Sequence, residues 1–185
     1  MSKNLFLASA AKAAFALAAV VMMSTMFTSC SKDDDDDNGG LPEPKAQTVT
    51  IDGVEKPIVK AEYRDEGNGN YYLNLSANSN EKVEIDLNKK LHMSGAPIDL
   101  TRKEEEHTGN EYYWLVRYNS NFSNLSIYTF ADPKKNEPVF KTGTLTVSGS
   151  PTGTINIKLE NGSVKGEDGK EHTITMSYSG PMTKK

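Results

Sequence analysis

Apolar and polar side chains alternate along most of the chain after residue 48, and this period of two limits the fold more than any other feature. The run from Val83 to Leu87 is the clearest case, and the runs from Ile155 to Leu159 and from Ile174 to Tyr178 repeat it. Alternation of this kind predicts strands with one face in a core and one in solvent. Short strands at intervals of roughly 8–12 residues favour an antiparallel sandwich or barrel.

Turn residues divide residues 46–180 into about eight or nine predicted strands within one all-β domain. Asp52-Gly53, Gly67 to Asn70 and Asn78 to Asn80 are typical of hairpin turns, since Gly, Asn and Asp tolerate positive φ. Asn161-Gly162 and Asp168-Gly169 are interpreted as turns between the last two strands. The predicted fold is a single antiparallel barrel or sandwich, with residues 181–185 as a C-terminal tail.

The middle of the chain is less regular. Thr101 to Glu104 matches a capping box and predicts one helical turn, which Gly109 would end. Glu111 to Tyr118 and Leu125 to Phe130 are apolar on both faces. We expect such strands at the centre of a sheet or beneath a covering loop.

The first 29 residues predict a secretory signal peptide. Lys3 and Lys12 are the charges that precede Cys30, and the apolar run from Ala13 to Met23 is too short for a membrane-spanning helix, which needs roughly 20 residues. Thr28-Ser29 supplies small residues before Cys30. The segment resembles a bacterial lipoprotein signal, which implies cleavage before Cys30 and membrane attachment through lipid on its sulfur.

Cys30 is the single cysteine of the chain. An ordinary signal peptide would leave it as an unpaired thiol in an exported protein, whereas acylation accounts for it. We therefore favour a lipid anchor over that alternative. Because one cysteine cannot form an intramolecular disulfide, the domain must be stabilised by its hydrophobic core.

An acidic run follows the cysteine, and residues 30–45 are predicted to be a linker. Neighbouring like charges repel, so the run is expected to be solvated, and Pro42 and Pro44 stiffen the chain after it. The run is either a plain spacer or, as we favour, a surface-export signal, because it resembles the one in Bacteroidetes lipoproteins. Its residues are Ser31, Lys32, Asp33, Asp34, Asp35, Asp36 and Asp37.

Two further patterns extend this resemblance. Thr28 to Asp34 resembles the processing site of Bacteroidales surface lipoproteins of uncharacterised function, and Lys141 to Val147, Asp168 to Lys170 and Thr173 to Gly180 are similar to the end of small gut-bacterial lipoproteins with calycin-like β-barrels. The resemblance implies a surface-exposed outer-membrane lipoprotein, with a calycin-like barrel as one expectation for the fold. It carries no catalytic residues.

The charge of the mature chain argues against nucleic acid as a partner. Without Lys3 and Lys12, 19 of the 21 basic residues remain against 25 acidic ones, a net charge of −6. We therefore expect phosphate backbones to repel the protein.

Motifs for catalysis or metal binding do not stand out, so we predict no catalytic residue, no cofactor and no metal. The histidines are scattered, and Glu104 to His107 is interpreted as a solvated loop. A catalytic carboxylate pair is left open, since sequence does not give the distance between carboxylates. The candidates are Glu62, Glu84, Asp86 and Asp99.

Aromatic rings are the best candidates for ligand contacts. Tyr72, Tyr113 and Trp114 could present flat rings to a glycan or a protein, although for Trp114 a place in the core is favoured. The leading hypothesis is a non-catalytic binding or adhesion module on the cell surface. The alternatives are a calycin-like barrel for a small apolar ligand, a glycan or peptide hydrolase, and a pilus-like subunit.

Overall fold

The computed structural model describes residues 40–185, so Cys30 and the acidic run lie outside the described residues. Their roles stay predictions. The strands and one short helix are, in chain order, β1 (Thr48–Ile51), β2 (Val54–Pro57), β3 (Lys60–Gly67), β4 (Asn70–Asn78), β5 (Glu81–Asn88), α1 (Lys89–His92), β6 (Ser94–Asp99), β7 (Leu115–Ser120), β8 (Leu125–Phe130), β9 (Thr142–Gly149), β10 (Ile155–Lys165), β11 (Glu171–Gly180) and β12 (Thr183–Lys184).

These strands form two six-stranded sheets. Sheet 1 has the order β2-β1-β11-β10-β9-β6, and sheet 2 has the order β12-β3-β4-β5-β7-β8. The pairings are antiparallel except for β12, which runs parallel to β3. The all-β prediction is confirmed, and residues 40–185 form a sandwich. The expectation of a closed calycin-like barrel is wrong for the described residues, because the two sheets remain separate.

The core lies between the sheets and is built from the alternate residues that the sequence pattern predicts. Leu73, Ile85 and Val116 of sheet 2 are fully buried, as are Leu145 and Leu159 of sheet 1. Each such side chain contributes roughly 1.5–3 kcal/mol when it leaves water. The predicted strand faces thus meet as two apolar layers.

An ion pair between the sheets adds to this core at one end. Lys56 of β2 donates a hydrogen bond to Glu81 of β5, whose carboxylate also accepts hydrogen bonds from Tyr118 and Ser120 of β7 and from Asn78. Burial opposes ionisation of Glu81, but Lys56 outweighs it and lowers the pKa of the carboxyl to about 2.

The predicted helix at residues 101–104 is wrong. That segment is irregular, and the one short helix of the described residues is α1, where the Asn88 side chain caps the helix by accepting a hydrogen bond from Lys90 N–H. Glu104, the residue expected to complete the capping box, instead forms contacts with distant residues. Tertiary contacts therefore override a local signal.

Asn161-Gly162 was predicted to be a turn and is instead a bulge within β10. The strand continues to Lys165, and its register shifts against both neighbours at this point. Asn161 has φ of +51°. The same tolerance of positive φ that favours Asn in a turn also suits a bulge, so the residue types alone do not distinguish the two.

The domain extends beyond the predicted bounds at both ends. Glu43 pairs with Lys158 of β10 (2.7 Å), and Leu41 N–H donates to Asn161 Oδ1 (2.8 Å), so the second half of the predicted linker lies against the outer face of sheet 1. Thr183 and Lys184 of the predicted tail form β12. Within residues 40–185, no helix has the length and hydropathy to cross a membrane.

Candidate functional site: a groove around Asp86 on sheet 2

The outer face of sheet 2 carries polar and aromatic side chains whose neighbours are fixed by strand register. Directly opposite residues in adjacent strands form rungs across the sheet, with side chains close enough to touch. The first rung is Arg64, Tyr72, Asp86, Leu115 and Phe130. The second rung is Glu62, Asn74, Glu84, Arg117 and Tyr128.

These rungs form the floor of a groove of about 640 Å³, which we call the Asp86 groove. Glu111, Tyr112 and Tyr113, from the segment before β7, form one wall, and Lys185 lines the other side. A volume of this size is within the range of small-molecule sites. Asp86 lies near the middle of the first rung.

Asp86 differs from the other residues of the groove because it combines burial, an unpaired oxygen and a raised pKa. It is 8% exposed although it lies on an outer face, and its Oδ1 atom is buried without a hydrogen bond from any residue in the described part of the chain. Burial, with the charge of Glu84 beside it, raises the pKa of Asp86 to about 7 against the opposing effect of Arg117 and Arg64. An unpaired buried carboxylate is costly and is a common mark of a functional site.

Two arginines lie over tyrosine rings on the two sides of Asp86. The Arg64 guanidinium is 4.4 Å from the centre of the Tyr72 ring, and that of Arg117 is 4.8 Å from the centre of the Tyr128 ring. Cation–π contacts of this kind hold the planar guanidinium in place while its N–H groups remain able to donate. The groove therefore has fixed donors beside its buried acceptor.

Ion pairs keep the charge of the groove balanced. Glu84 accepts from Arg117 at 3.1 Å and pairs with Lys82 at 3.3 Å, and Arg64 forms an ion pair with Glu66. Lys185 pairs with Glu62 at 3.1 Å. The cations that line the groove thus have acidic partners, and the site has no strong preference for either sign of charge.

The wall of the groove belongs to residues 100–114, an irregular segment between β6 and β7. Tyr112 contacts Tyr72 edge-on, with ring centres 5.5 Å apart, and Tyr113 contacts Phe130 in the same way at 6.3 Å. Asn70 secures the segment by accepting from Tyr112 N–H and donating to the carbonyl of residue 110. The two outward-facing apolar positions, Leu115 and Phe130, are therefore beneath a covering loop.

Glu104 holds this wall to the rest of the domain. Its carboxylate accepts from Trp114 N–H at 2.7 Å, lies 3.1 Å from His92 Nε2 and lies 2.9 Å from His107 Nε2. His92 Nδ1 accepts from Asn88 N–H, so Nε2 carries the proton that is donated to Glu104. Burial opposes ionisation, but His92 and the Trp114 amide outweigh it and lower the pKa of Glu104.

Tyr113, in turn, is positioned by His107. The two rings stack with centres 4.0 Å apart, and the backbone N–H of His107 donates to the Tyr113 hydroxyl at 2.9 Å. The interpretation of Glu104 to His107 as a solvated loop is therefore wrong for Glu104 and His107, which are half-buried. Glu105 and Glu106, between them, are exposed.

The aromatic residues singled out from the sequence differ in their position. Tyr72 and Tyr113 line the groove. Trp114 is fully buried in the core, tilted against Phe140 with ring centres 6.5 Å apart. The place in the core that the sequence favours for Trp114 is confirmed, and the alternative that it presents its ring to a ligand is wrong. The predicted strand from Glu111 to Tyr118 begins only at Leu115, and in the irregular segment before it Tyr112 lines the groove whereas Trp114 enters the core.

Of the candidate carboxylates, Glu84 and Asp86 come together in the groove. Glu62 lies on the same face near the edge, whereas Asp99 lies on β6 in sheet 1 and bonds to Thr101. Sequence reasoning missed the groove residues Arg64, Tyr112, Arg117 and Tyr128. The available signal was the apolar character of both faces of β7 and β8, which indicated a cover but not what lay beneath it.

His172 lies apart from the groove, between two aspartates at the turn end of sheet 1. Its Nδ1 is 2.8 Å from Asp52 Oδ2 and its Nε2 is 3.1 Å from Asp168 Oδ1. Burial disfavours the imidazolium, but the two carboxylates outweigh it and raise the pKa of His172. Among residues 40–185, no group of three or more histidine, cysteine or acidic side chains is placed to hold a metal ion.

Comparison with known proteins gives no relative from which to assign the site. No protein family, no curated protein and no solved structure matches the chain. The geometry of the groove is therefore the basis for inferring a function.

Proposed function

We propose that this protein is an outer-membrane lipoprotein, anchored through Cys30, that acts as a non-catalytic binding or adhesion module with the Asp86 groove as its ligand surface. The observation that carries the proposal is Asp86, a buried carboxylate with an unpaired oxygen, in a groove lined by tyrosines and arginines. A ligand that donates to this carboxylate supplies the hydrogen bond that the free protein lacks.

The direction in which the chain reaches the domain supports a surface role. Leu41 and Glu43 lie on the outer face of sheet 1, and the Asp86 groove lies on the outer face of sheet 2. A tether that joins the domain at one face leaves the opposite face free for a partner. The lipid anchor itself is proposed because residues 1–29 and the acidic run resemble lipoprotein signals.

The small apolar ligand is a weaker alternative. It needs a cavity inside a barrel, whereas the described strands form a sandwich with fully buried side chains between its sheets.

The anchor is tested by producing the full chain in a bacterial host that processes lipoproteins and supplying labelled palmitate. We expect label in the wild type, loss of residues 1–29 in its mass spectrum, and no label in Cys30→Ser. An unlabelled wild-type protein would remove the anchor from the proposal.

The ligand surface is tested by binding of the soluble domain to a panel of oligosaccharides and extracellular-matrix proteins. We expect binding to at least one member, lost in Arg64→Ala and retained in Arg102→Ala. Arg102 is a matched control because it is exposed, pairs with Asp99 and lies outside the groove. No binding by the folded protein, or equal binding by both variants, contradicts the groove as the ligand surface.

A glycoside hydrolase is the second candidate, favoured by the two carboxylates of β5. Glu84 and Asp86 are two residues apart on one strand face, and Asp86 has the raised pKa of a general acid. Incubation with soluble polysaccharides and assay of reducing ends tests this reading. Sugar release that is abolished by Asp86→Asn favours the hydrolase over a binding module.

A further inference from the structure

We infer that the ligand of the Asp86 groove is a neutral saccharide, with Asp86 accepting from one of its hydroxyls and Arg64 and Arg117 donating to others. This inference rests on the proposed function of the groove and adds the chemical class of its occupant. It is carried by three properties of the site, which are the unpaired acceptor, the balanced charge and the aromatic surface.

A ligand in the groove can supply the hydrogen-bond donor that the Asp86 carboxyl lacks. Asp86 Oδ1 receives no hydrogen bond within the described residues, and its neighbours along the rung, Tyr72 and Leu115, do not donate to it. A purely apolar ligand would cover the groove and leave this oxygen unsatisfied, as it is in the free protein, so such a ligand would gain no hydrogen bond from Asp86. The ligand therefore carries hydroxyl or N–H groups.

The surrounding charges disfavour an ionic ligand of either sign. A cationic donor at Asp86 would lie near Arg64 and Arg117, which already influence the ionisation of that carboxyl. An anionic ligand would lie against Asp86 and Glu84 in the same groove. Like charges at close range cost free energy, and more so where water is excluded. A neutral ligand avoids both penalties.

Hydroxyl groups match this arrangement because each can donate and accept. One hydroxyl can donate to Asp86 while a neighbouring one accepts from an arginine held over a tyrosine ring. The tyrosines and Phe130 supply apolar surface for the C–H groups of a sugar ring, as aromatic side chains do in mixed polar and apolar sites. A chain of neutral sugars combines these properties.

The test is titration calorimetry of the full-length mature protein with hexasaccharides of glucose, mannose, xylose and galactose, beside two charged probes, oligogalacturonate and oligomeric chitosan. We expect at least one neutral hexasaccharide to bind more tightly than either charged probe. Asp86→Asn and Arg64→Ala should each weaken that binding by about tenfold or more, as expected for the loss of a hydrogen bond to a charged group. Arg102→Ala should leave it unchanged.

Tyr112→Ala provides a second groove variant from the wall, in case Arg64→Ala fails to fold, and circular dichroism checks the fold of each variant. Tightest binding of a charged probe through the same residues overturns the neutral class and leaves the groove as the ligand surface. Absence of oligosaccharide binding by the folded protein also overturns the class. The groove would still be the ligand surface if extracellular-matrix proteins bound the wild type and not Arg64→Ala. If these proteins also showed no such binding, the proposed function would fail too.

Discussion

Asp86 and Tyr72 lie directly opposite each other on neighbouring strands, and both are shifted toward their neutral forms. Burial and Glu84 raise the pKa of Asp86 to about 7, whereas Tyr112, burial and the Asp86 carboxylate raise the pKa of Tyr72 to about 12. Burial contributes to both shifts, because it disfavours the charged form of each side chain. The ionised Asp86 carboxylate is therefore unfavourable in the free protein, and a ligand that donates a hydrogen bond to it would stabilise it.

The first prediction concerns the cost of this arrangement. Asp86 has a folded pKa above its unfolded value, so the folded protein gains stability as the pH falls through about 7 toward about 4 and is destabilised above pH 7. A shift of about three units corresponds to roughly 4 kcal/mol as an upper bound. We expect Asp86→Asn to raise the Tm at pH 8 and to have little effect at pH 4.

Thermal unfolding followed by circular dichroism at both pH values measures this difference. Asp132→Asn, on a loop outside the groove, controls for the loss of one negative charge. A lower Tm of Asp86→Asn at pH 8 would show that the carboxylate stabilises the free domain, which would contradict a destabilising, unpaired Asp86.

The second prediction concerns the ion pair between the sheets. Lys56→Met leaves the buried Glu81 carboxylate without its cation, and breaking such a pair typically costs 3–5 kcal/mol. We expect a loss of about 3 kcal/mol in the free energy of unfolding, measured in urea. Lys141→Met removes an exposed pair with Glu171 and should change stability by less than about 1 kcal/mol. Similar losses in both variants would exclude a special role for Lys56.

The third prediction follows from the low pKa of Glu81. Its folded pKa of about 2 is below the unfolded value, so the stability it contributes is present above about pH 4.5 and is lost as the pH falls toward 2. We expect Glu81→Gln to be less stable than the wild type at pH 6, with the difference shrinking by pH 2. Urea unfolding across this range checks the trend, and a difference that is constant with pH would contradict it.

The fourth prediction concerns the wall of the groove. Glu104→Gln removes the charge that His92, His107 and the Trp114 amide share. We expect the amides of residues 105–114 to exchange hydrogen about tenfold faster, since a hydrogen bond to a charged group contributes roughly 1.5–3 kcal/mol. Glu105→Gln, at an exposed neighbouring position, is the matched control. Equal exchange in the two variants would mean that Glu104 does not secure the wall.

The fifth prediction concerns His172. Its folded pKa is raised, so the stability it contributes is fully present below its unfolded pKa and is lost as the pH rises through the folded value. We expect His172→Gln to lower the Tm more at pH 5.5 than at pH 9. An equal loss at the two pH values would indicate that the side chain acts through packing rather than through its charge.

Local sequence signals predicted most of the strands because each depends on a short stretch of chain. Val83 to Leu87 alternates strictly and forms β5, and Asp52-Gly53 connects β1 to β2 as expected. The predictions are wrong where contacts between distant residues outweigh the local conformational preference. Glu104 lies outside any helix and pairs with two histidines, and Asn161 has positive φ within a bulge instead of a turn.

The candidate site was far less predictable. The sequence indicates Tyr72 and Tyr113 as aromatic rings for a ligand, and both line the groove. It does not distinguish Asp86 from the three other candidate carboxylates. Its burial depends on Tyr72 and Leu115 on the adjacent strands and on the wall near Tyr112. Arg64 and Phe130, at the two ends of the same rung, are 66 positions apart in the chain.

The sequence by itself determined the class of fold, because alternation specifies which face of each strand leaves water wherever that strand pairs. Residues 1–30 also resemble a lipoprotein signal, and the anchor that this resemblance implies stays a prediction. Only the tertiary structure decided that the strands form a sandwich and that Asp86 is buried in the floor of a groove. Register and loop packing join residues from six separate segments, and no local pattern encodes which of them become neighbours.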